Sequence, residues 1–120
     1  MGFVERMQKA LRFNHQNNYE FGTLADYRVS VSSDLNRSVD SFHIKYRGLL
    51  KESGAEEVYL HYGFDGWKTP AKTVKMEKEA DGSFGADVYF AGEREINFCF
   101  KDPAENWDTN NGQNWNINVL

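Results

Sequence analysis

From residue 41 to the C-terminal end, apolar and polar side chains alternate in short runs separated by turn residues. In the first run, Phe42, Ile44 and Tyr46 alternate with polar side chains. A period of two residues is typical of a β-strand that buries one face. No segment with helical periodicity lies between the runs. This excludes a parallel α/β fold, because parallel strands need long crossover connections.

The alternating runs predict strands within residues 41–50, 57–63, 72–80, 83–90, 95–100 and 114–120. Turn signals between them lie at Gly54, Gly66, Gly82, Gly92 and Gly112. Short strands with turns at this spacing favour an all-β sandwich. Asp81-Gly82 is in addition typical of a type I′ hairpin turn. Trp115 alternates with Ile117 and Val119, which predicts a core position for this tryptophan.

Residues 1–40 differ in character, and we interpret them as an N-terminal extension to a sandwich domain of residues 41–120. Apolar residues recur at four-residue spacing over residues 3–12, which predicts a short helix. This helix either packs on the domain or serves as a docking surface. The polar stretch that follows is irregular, and within it residues 27–31 alternate in the manner of an edge strand.

The composition argues against several classes of function. The net charge is −4 at pH 7 and the basic residues are not clustered, so no nucleic-acid partner is expected. Apolar runs are far shorter than the ~20 residues that span a bilayer, so no membrane partner is expected. Cys99 is the one cysteine, which precludes an internal disulfide and suits a reducing compartment. The first residues lack the apolar segment of a signal peptide. We therefore expect a cytoplasmic protein if the chain is complete, and a secreted one if it is excised from a larger protein.

Catalytic and metal-binding patterns are missing from the sequence. It contains no nucleophile elbow, no zinc-protease helix motif and no phosphate-binding loop. Its three histidines follow no ligand spacing. Asp102, Glu105 and Asp108 form an acidic group, but hydrated carboxylates on a loop are the commoner interpretation of such a group. The sequence therefore predicts that the chain is not an enzyme and uses neither a cofactor nor a metal.

Two tryptophans lie in polar loops, where a core position is hard to explain. Trp67 follows a glycine-rich turn, and Trp107 stands between two polar residues without strand alternation. His61 alternates onto the outward face of the strand that leads to Trp67. Flat aromatic side chains suit the C–H face of a sugar ring, whose hydroxyl rim needs amides, imidazoles and carboxylates. The second loop is rich in amides, since six of the eleven asparagines lie within residues 106–118.

Two motifs resemble the starch-binding carbohydrate-binding modules of family 25. The first is His61-Tyr62-Gly63 at the end of a strand, followed shortly by Gly66-Trp67. The second is a Phe-x-Phe strand at residues 98–100, followed by a Trp-Asp-x-Asn-Asn-Gly-x-Asn-aromatic loop at residues 107–115. The resemblance covers about residues 42–119, whereas residues 1–40 match no part of that family.

The resemblance implies an immunoglobulin-like antiparallel β-sandwich that binds α-1,4-linked glucan, such as starch, glycogen or maltooligosaccharide, without catalysing a reaction. The sugar platform of the family corresponds by position to His61, Trp67 and Trp107. The asparagine pair of the family corresponds to Asn110 and Asn111, which either bind sugar hydroxyls or shape the loop. A curved platform of this kind suits the helix of an α-glucan better than a flat cellulose chain.

One departure from the family pattern concerns the second loop. Asp102-Pro103 stands where the family has Asp-Gly, which indicates a different approach of the chain to Trp107. A second interpretation of the exposed aromatics also remains open. Tryptophans of this kind anchor protein–protein interfaces, so the sandwich could serve as a protein-interaction or scaffolding domain.

Overall fold

The computed structural model describes residues 19–21, 27–35 and 40–119, which form an all-β antiparallel sandwich as the sequence predicts. Within these residues, no helix is both long and apolar enough to cross a bilayer. The described ranges contain ten strands and one short helix, in chain order β1 (Tyr19–Phe21), β2 (Val29–Leu35), β3 (Asp40–Tyr46), α1 (Leu49–Glu52), β4 (Tyr59–Phe64), β5 (Lys72–Lys75), β6 (Glu77–Lys78), β7 (Phe84–Phe90), β8 (Glu95–Lys101), β9 (Trp107–Asp108) and β10 (Trp115–Val119).

The strands form two sheets. The larger sheet has the order β1-β10-β8-β4-β5, and β9 adds a short pairing to the end of β8. The smaller sheet has the order β2-β3-β7-β6. Every described pairing is antiparallel. The central pair of the larger sheet places His61 on β4 opposite Cys99 on β8, and this register positions the site described below.

The core lies between the sheets and consists of the apolar side chains that alternate along each strand. Phe42, Ile44 and Tyr46 are fully buried on β3. Trp115 on β10 is also fully buried, and its ring stacks on Phe98 with a centroid separation of 6.3 Å. The predicted core position of Trp115 is therefore confirmed.

The predicted strand at residues 72–80 is wrong as a single strand, because the chain changes sheets at Met76. β5 belongs to the larger sheet and β6 to the smaller one. Between them, Met76 is buried to 2% exposure and its backbone N–H donates to the carbonyl of Val58 at 2.9 Å. A period of two residues is the same on both sides of the break, so alternation alone does not reveal it.

The predicted type I′ turn at Asp81-Gly82 is also wrong. That turn needs positive φ at both central residues, whereas here Gly82 has a φ of 88° and Asp81 is not among the residues with positive φ. The backbone N–H of Glu79 donates to the carbonyl of Ser83 at 2.8 Å, which closes a three-residue loop that ends on the left-handed glycine. The Asp81 carboxylate accepts hydrogen bonds from the Ser83 backbone and hydroxyl, at 3.0 and 2.6 Å, which stabilises this alternative.

The N-terminal predictions have different outcomes. The predicted helix at residues 3–12 lies outside the described residues. β2 lies where the sequence predicts an edge strand, and it pairs with β3 over all seven of its residues. β1 pairs with β10 at one edge of the larger sheet. Both strands precede the predicted boundary near Ser41 and extend sheets formed by later residues, and the boundary itself stays a prediction.

Candidate functional site

Three aromatic side chains meet on the outward face of the larger sheet. His61 lies on β4 between the buried residues Leu60 and Tyr62, so its side chain points away from the core. The imidazole lies 5.7 Å from the Trp67 ring with an interplanar angle of 25°. It lies 5.3 Å from the Trp107 ring at 86°, an edge-on contact. We call these three residues the ring cluster.

The turn after β4 holds Trp67 in a backbone conformation that is unusual for a tryptophan. Its φ is 65°, in the left-handed region, which costs a residue with a side chain ~1–3 kcal/mol. Asn97 offsets this cost, because its side-chain oxygen accepts the N–H groups of Gly66 and Trp67 at 2.8 and 3.1 Å. Asp65 ties the same turn to β8 by accepting the backbone N–H of Arg94 at 2.9 Å. These hydrogen bonds therefore fix the conformation of the turn that carries the Trp67 ring.

Gly63 lies beneath Trp67 near the end of β4, which explains the glycine of the His-Tyr-Gly sequence. A Cβ atom at this position would lie 2.9 Å from Cε3 of Trp67, closer than real Cβ contacts come. The indole thus rests directly on the backbone of β4, and a glycine is needed beneath it. Because Gly63 pairs with Asn97 across the sheet, the residue below the indole and the residue that holds its turn are neighbours.

Trp107 reaches the cluster from the opposite side through the short strand β9. Lys101 pairs with Trp107, and Phe100 pairs with Asp108, at the end of β8. Alternation within β9 leaves Trp107 exposed, at 42%, and buries Asp108, at 4%. The Lys101 ammonium lies 5.4 Å from the centre of the Trp107 ring, a cation–π contact.

Asp108 anchors this second tryptophan to the core. Its carboxylate accepts a hydrogen bond of 2.6 Å from the hydroxyl of Tyr46, which in turn accepts the backbone N–H of Leu50 at 3.0 Å. Burial, and next the hydrogen bond to Asp108, raise the pKa of Tyr46 far above its usual value. The phenol is therefore protonated, and a hydrogen-bond donor, at neutral pH. The Trp-Asp pair thus combines one residue that faces outward with one that fixes the strand.

The electrostatics keep His61 neutral at physiological pH. Burial, and then the positive charge of Lys101, lower the pKa of this imidazole. Nδ1 shares a hydrogen bond of 2.8 Å with the hydroxyl of Thr73 on the neighbouring strand. Among the described residues, no group forms a hydrogen bond with Nε2. His61 therefore offers one free ring nitrogen beside two indole rings, as a neutral donor or acceptor.

Cys99 lies on the same outward face and is buried to 4% exposure. Its neighbours along β8, Phe98 and Phe100, face the core, so side chains on the outward face are what cover the thiol. Burial, together with the charge of Asp108, raises the pKa of Cys99 to about 11. The thiol is therefore protonated at neutral pH, as expected for a buried packing residue rather than a reactive cysteine.

The two predicted asparagines lie in the loop that follows Trp107. Asn110 and Asn111 have φ values of 56° and 57°, in the left-handed region that asparagine tolerates best among residues with a side chain. The Asn110 amide accepts from Arg28 at 2.8 Å and donates to the carbonyl of Asn114 at 3.1 Å. Within the described part of the chain, no hydrogen bond or ring contact joins either asparagine to the ring cluster. The structure thus brings together three of the five predicted residues, and the side chain of Asn110 shapes its loop.

The acidic group around the loop serves local structure. Asp102 accepts the backbone N–H groups of Ala104 and Asn106, both at 2.9 Å. Lys101 donates to Glu105, and Asp108 binds Tyr46 as described. Over residues 19–21, 27–35 and 40–119, no group of three or more histidine, cysteine or acidic side chains is placed to hold a metal ion.

Sequence reasoning missed the residues that support the ring cluster, namely Gly63, Asn97 and Lys101. Asn97 gave a signal, since it is a polar residue inside the aromatic strand β8 and is buried to 3% exposure. Its partners, however, lie 30 and 31 positions away, and no local pattern reveals such a distance.

Comparisons with known proteins identify a family model and a relative that resemble this chain. Residues 42–98 match the family model of the starch/carbohydrate-binding module, family 53. This stretch includes His61 and Trp67 and ends before Trp107. An alpha-amylase of Clostridium acetobutylicum is 35% identical over 96 residues, which amount to 79% of this chain and 12% of the relative. The chain thus spans about an eighth of the length of that relative.

The resemblance to a starch-binding module is confirmed at this level, whereas the family number 25 is not. The matched family is one of binding modules. Together with the ring cluster, in which Trp107 is exposed and His61 and Trp67 are half-buried, the comparisons support carbohydrate binding without catalysis as the function of this chain.

Proposed function

We propose that the chain binds α-1,4-linked glucan, as starch, glycogen or maltooligosaccharide, on the ring cluster. The observation that carries this proposal is the meeting of three rings from separate parts of the chain, with His61 5.7 and 5.3 Å from the two indoles. Sugars are neutral ligands with apolar faces and hydroxyl rims. An exposed indole suits the first feature, and the free nitrogen of His61 suits the second.

The shape of the cluster favours a curved ligand. The Trp67 ring is inclined by 25° to the imidazole, whereas the Trp107 ring stands at 86° to it. The aromatic surface therefore bends sharply at His61. A flat β-1,4-linked chain would need coplanar rings, while an α-1,4-linked chain turns as it extends. We propose in addition that the residue roles follow the family 25 pattern, with His61, Trp67 and Trp107 as the platform.

We propose no reaction for this chain. The activity of the amylase relative belongs to a protein of which this chain matches 12%. Among the described residues, the ionisable groups at the ring cluster are the neutral imidazole of His61 and the ammonium of Lys101, which binds the single carboxylate of Glu105. These groups do not form a carboxylate pair across which a glycosidic bond could be hydrolysed.

The test is calorimetric titration of maltoheptaose into the parent chain and into Trp107→Ala. Loss of one stacked ring should weaken binding by ~1–3 kcal/mol, by analogy with bases stacked on aromatic side chains. This corresponds to about five- to 150-fold in affinity. The fold should survive, because Trp107 is 42% exposed.

Tyr89→Ala is the matched control, since Tyr89 is 60% exposed on the outward face of the smaller sheet. It should bind maltoheptaose as the parent does, and cellohexaose should bind to neither protein. If Trp107→Ala retains the parent affinity, the ring cluster is not the glucan site. A parent chain that binds no glucan would favour the alternative, in which Trp67 and Trp107 contact a protein partner.

A further inference from the structure

A second surface begins at Trp107 and leads away from His61. A cleft of about 380 Å³ lies between α1 and the turn that joins β8 to β9. Its lining consists of Leu49, Leu50, Ser53, Asp102, Asn106 and Trp107. Neither His61 nor Trp67 lines it. Trp107 is thus shared between the ring cluster and this cleft, which has a volume within the ~300–1,000 Å³ range of small-ligand sites.

The apolar part of the cleft is unusually exposed. Among the described residues, four large hydrophobic side chains are exposed, and two of them line this cleft. They are Leu49, at 55%, and Trp107, at 42%. Exposed apolar side chains that converge on one concave surface are typical of a binding site rather than of chance exposure.

The polar part of the cleft suits sugar hydroxyls. The side-chain amide of Asn106 donates one hydrogen bond, to Asp102 at 2.8 Å. An amide group has two N–H donors and an acceptor oxygen, so Asn106 retains a donor and an acceptor toward the cleft. Asp102 accepts three hydrogen bonds, two from backbone N–H groups and one from Asn106. Hydrogen bonds from Asn106 and Ala104 lower the pKa of Asp102, so it remains a carboxylate acceptor.

The walls of the cleft are firmly held. The carboxylate of Asp108, the residue after Trp107, accepts from the hydroxyl of Tyr46 and from the backbone N–H of Leu49 at 3.4 Å. Leu50 is buried to 4% and fixes α1 to the core. Both sides of the cleft are therefore joined through one buried carboxylate, and the cleft exists before a ligand arrives.

We infer that this cleft is an additional glucan subsite, continuous with the ring cluster through Trp107, which binds the sugar units of a chain that extends beyond the rings. The inference rests on the proposed function of the ring cluster. It assigns Leu49, Ser53 and Asn106 to glucan binding, and it makes the chain selective for longer maltooligosaccharides over maltotriose.

The experiment compares maltotriose with maltoheptaose by calorimetry on the full chain. Ser53→Trp fills the cleft, and Asn106→Ala removes its amide. Each should weaken maltoheptaose binding about three- to tenfold, the equivalent of one or two net hydrogen bonds. Each should leave the affinity for maltotriose unchanged. Glu52→Trp is the matched control, because Glu52 is exposed on α1 but does not line the cleft, and it should bind both sugars as the parent does.

Three results would overturn parts of this assignment in distinguishable ways. Equal affinity of the parent for maltotriose and maltoheptaose would overturn the subsite and leave the ring cluster intact. Unchanged maltoheptaose binding in both cleft variants would do the same. A parent chain that binds neither sugar would overturn the proposed function itself. Thermal melting of each variant shows whether it is folded, and Asn106→Ala keeps the test open if Ser53→Trp does not fold.

Discussion

Each sheet carries one histidine in the middle of a strand, pointing away from the core. His61 lies on β4 of the larger sheet and His43 on β3 of the smaller sheet. Both ring nitrogens of His43 are occupied, by Asp87 and Glu79, each at 2.7 Å. His61 uses Nδ1 alone, with Thr73. The histidine of the smaller sheet therefore has both ring nitrogens occupied within the protein, whereas the histidine of the larger sheet has one ring nitrogen available.

The charge states of the two histidines differ in the same sense. Burial lowers the pKa of His43, but the hydrogen bonds and negative charges of Asp87 and Glu79 outweigh burial and raise it above its usual value. Burial and Lys101 lower the pKa of His61. A histidine whose protonation is favoured by two carboxylates and a neutral ring beside two indoles have different uses. The first is satisfied within the protein, and the second is available to a neutral ligand.

The surroundings of each histidine extend this contrast. On the smaller sheet, Lys45 and Arg47 both bind Asp81 at 2.9 Å, next to the His43 network. On the larger sheet, the neighbours of His61 are aromatic. On both faces, nevertheless, a glycine allows a side chain to lie directly against the backbone. A Cβ atom on Gly85 would collide with Glu79 and lie 2.9 Å from Nε2 of His43, just as one on Gly63 would collide with Trp67.

The largest expected effect comes from removing the N-terminal strands, which enter the two sheets unequally. A chain that begins at Tyr27 loses β1, which pairs with three residues at the edge of the larger sheet. A chain that begins at Asp40 also loses β2, its seven pairings and the buried side chain of Val29. We expect the first chain to fold and to bind glucan. We expect the second to aggregate, because β3 then becomes a bare edge.

Size-exclusion chromatography and thermal melting of both chains test this prediction. A monomeric, cooperatively melting chain that begins at Asp40 would contradict it, and would support the predicted domain boundary near Ser41. If that chain folds but fails to bind glucan, the site is not contained within residues 42–119. Loss of the hydrogen bond from Arg28 to Asn110 would then be the structural change to examine.

The second prediction replaces one glycine on each face by alanine, and so compares the two faces directly. Gly63→Ala forces the Trp67 ring to move, since its Cε3 atom lies 2.9 Å from the new Cβ position. Affinity for maltoheptaose should fall by about tenfold or more, the equivalent of ~1.4 kcal/mol. Gly85→Ala should disturb the contact between Glu79 and His43 and leave that affinity unchanged. Calorimetry measures both, and equal losses in the two variants would show that the faces are coupled rather than separate.

These contrasts also show how far the sequence reaches. Alternation on β3, β4 and β8 predicted the core side chains and the outward direction of His61, because strand alternation is a local property. The polar setting of Trp67 and Trp107 predicted that both rings would be exposed, and this is confirmed for Trp107, whereas Trp67 is half-buried. The sequence did not predict what holds them. Asp108 binds Tyr46 across 62 positions, and Asn97 supports a turn 30 positions earlier. The change of sheet at Met76 was missed for the same reason, because only the tertiary fold decides it.

The smallest expected effects concern pH. The pH dependence of stability should report on His43, and the pH dependence of glucan affinity should report on His61. The pKa of His43 is raised in the folded state, so the stability that His43 contributes is present in full below the unfolded pKa of about 6.5 and is lost as pH rises through the folded value. The difference in melting temperature between the parent and His43→Gln should therefore be larger near about pH 6 than near about pH 9. A difference that is independent of pH would show that His43 is not held as a cation.

The pH dependence of glucan affinity should instead follow the protonation of His61. Because the pKa of His61 is lowered, less than half of the imidazole is protonated at about pH 6.5, where a free histidine is half protonated. Affinity for maltoheptaose should accordingly change little from about pH 8 to about pH 6.5 and should fall at lower pH, when the protonated ring offers hydrogen-bond donors only. His43→Gln should leave this profile unchanged, since that network lies on the other sheet. An affinity that already declines above about pH 7 would contradict a neutral His61. A profile that shifts with His43→Gln would contradict the separation of the two faces.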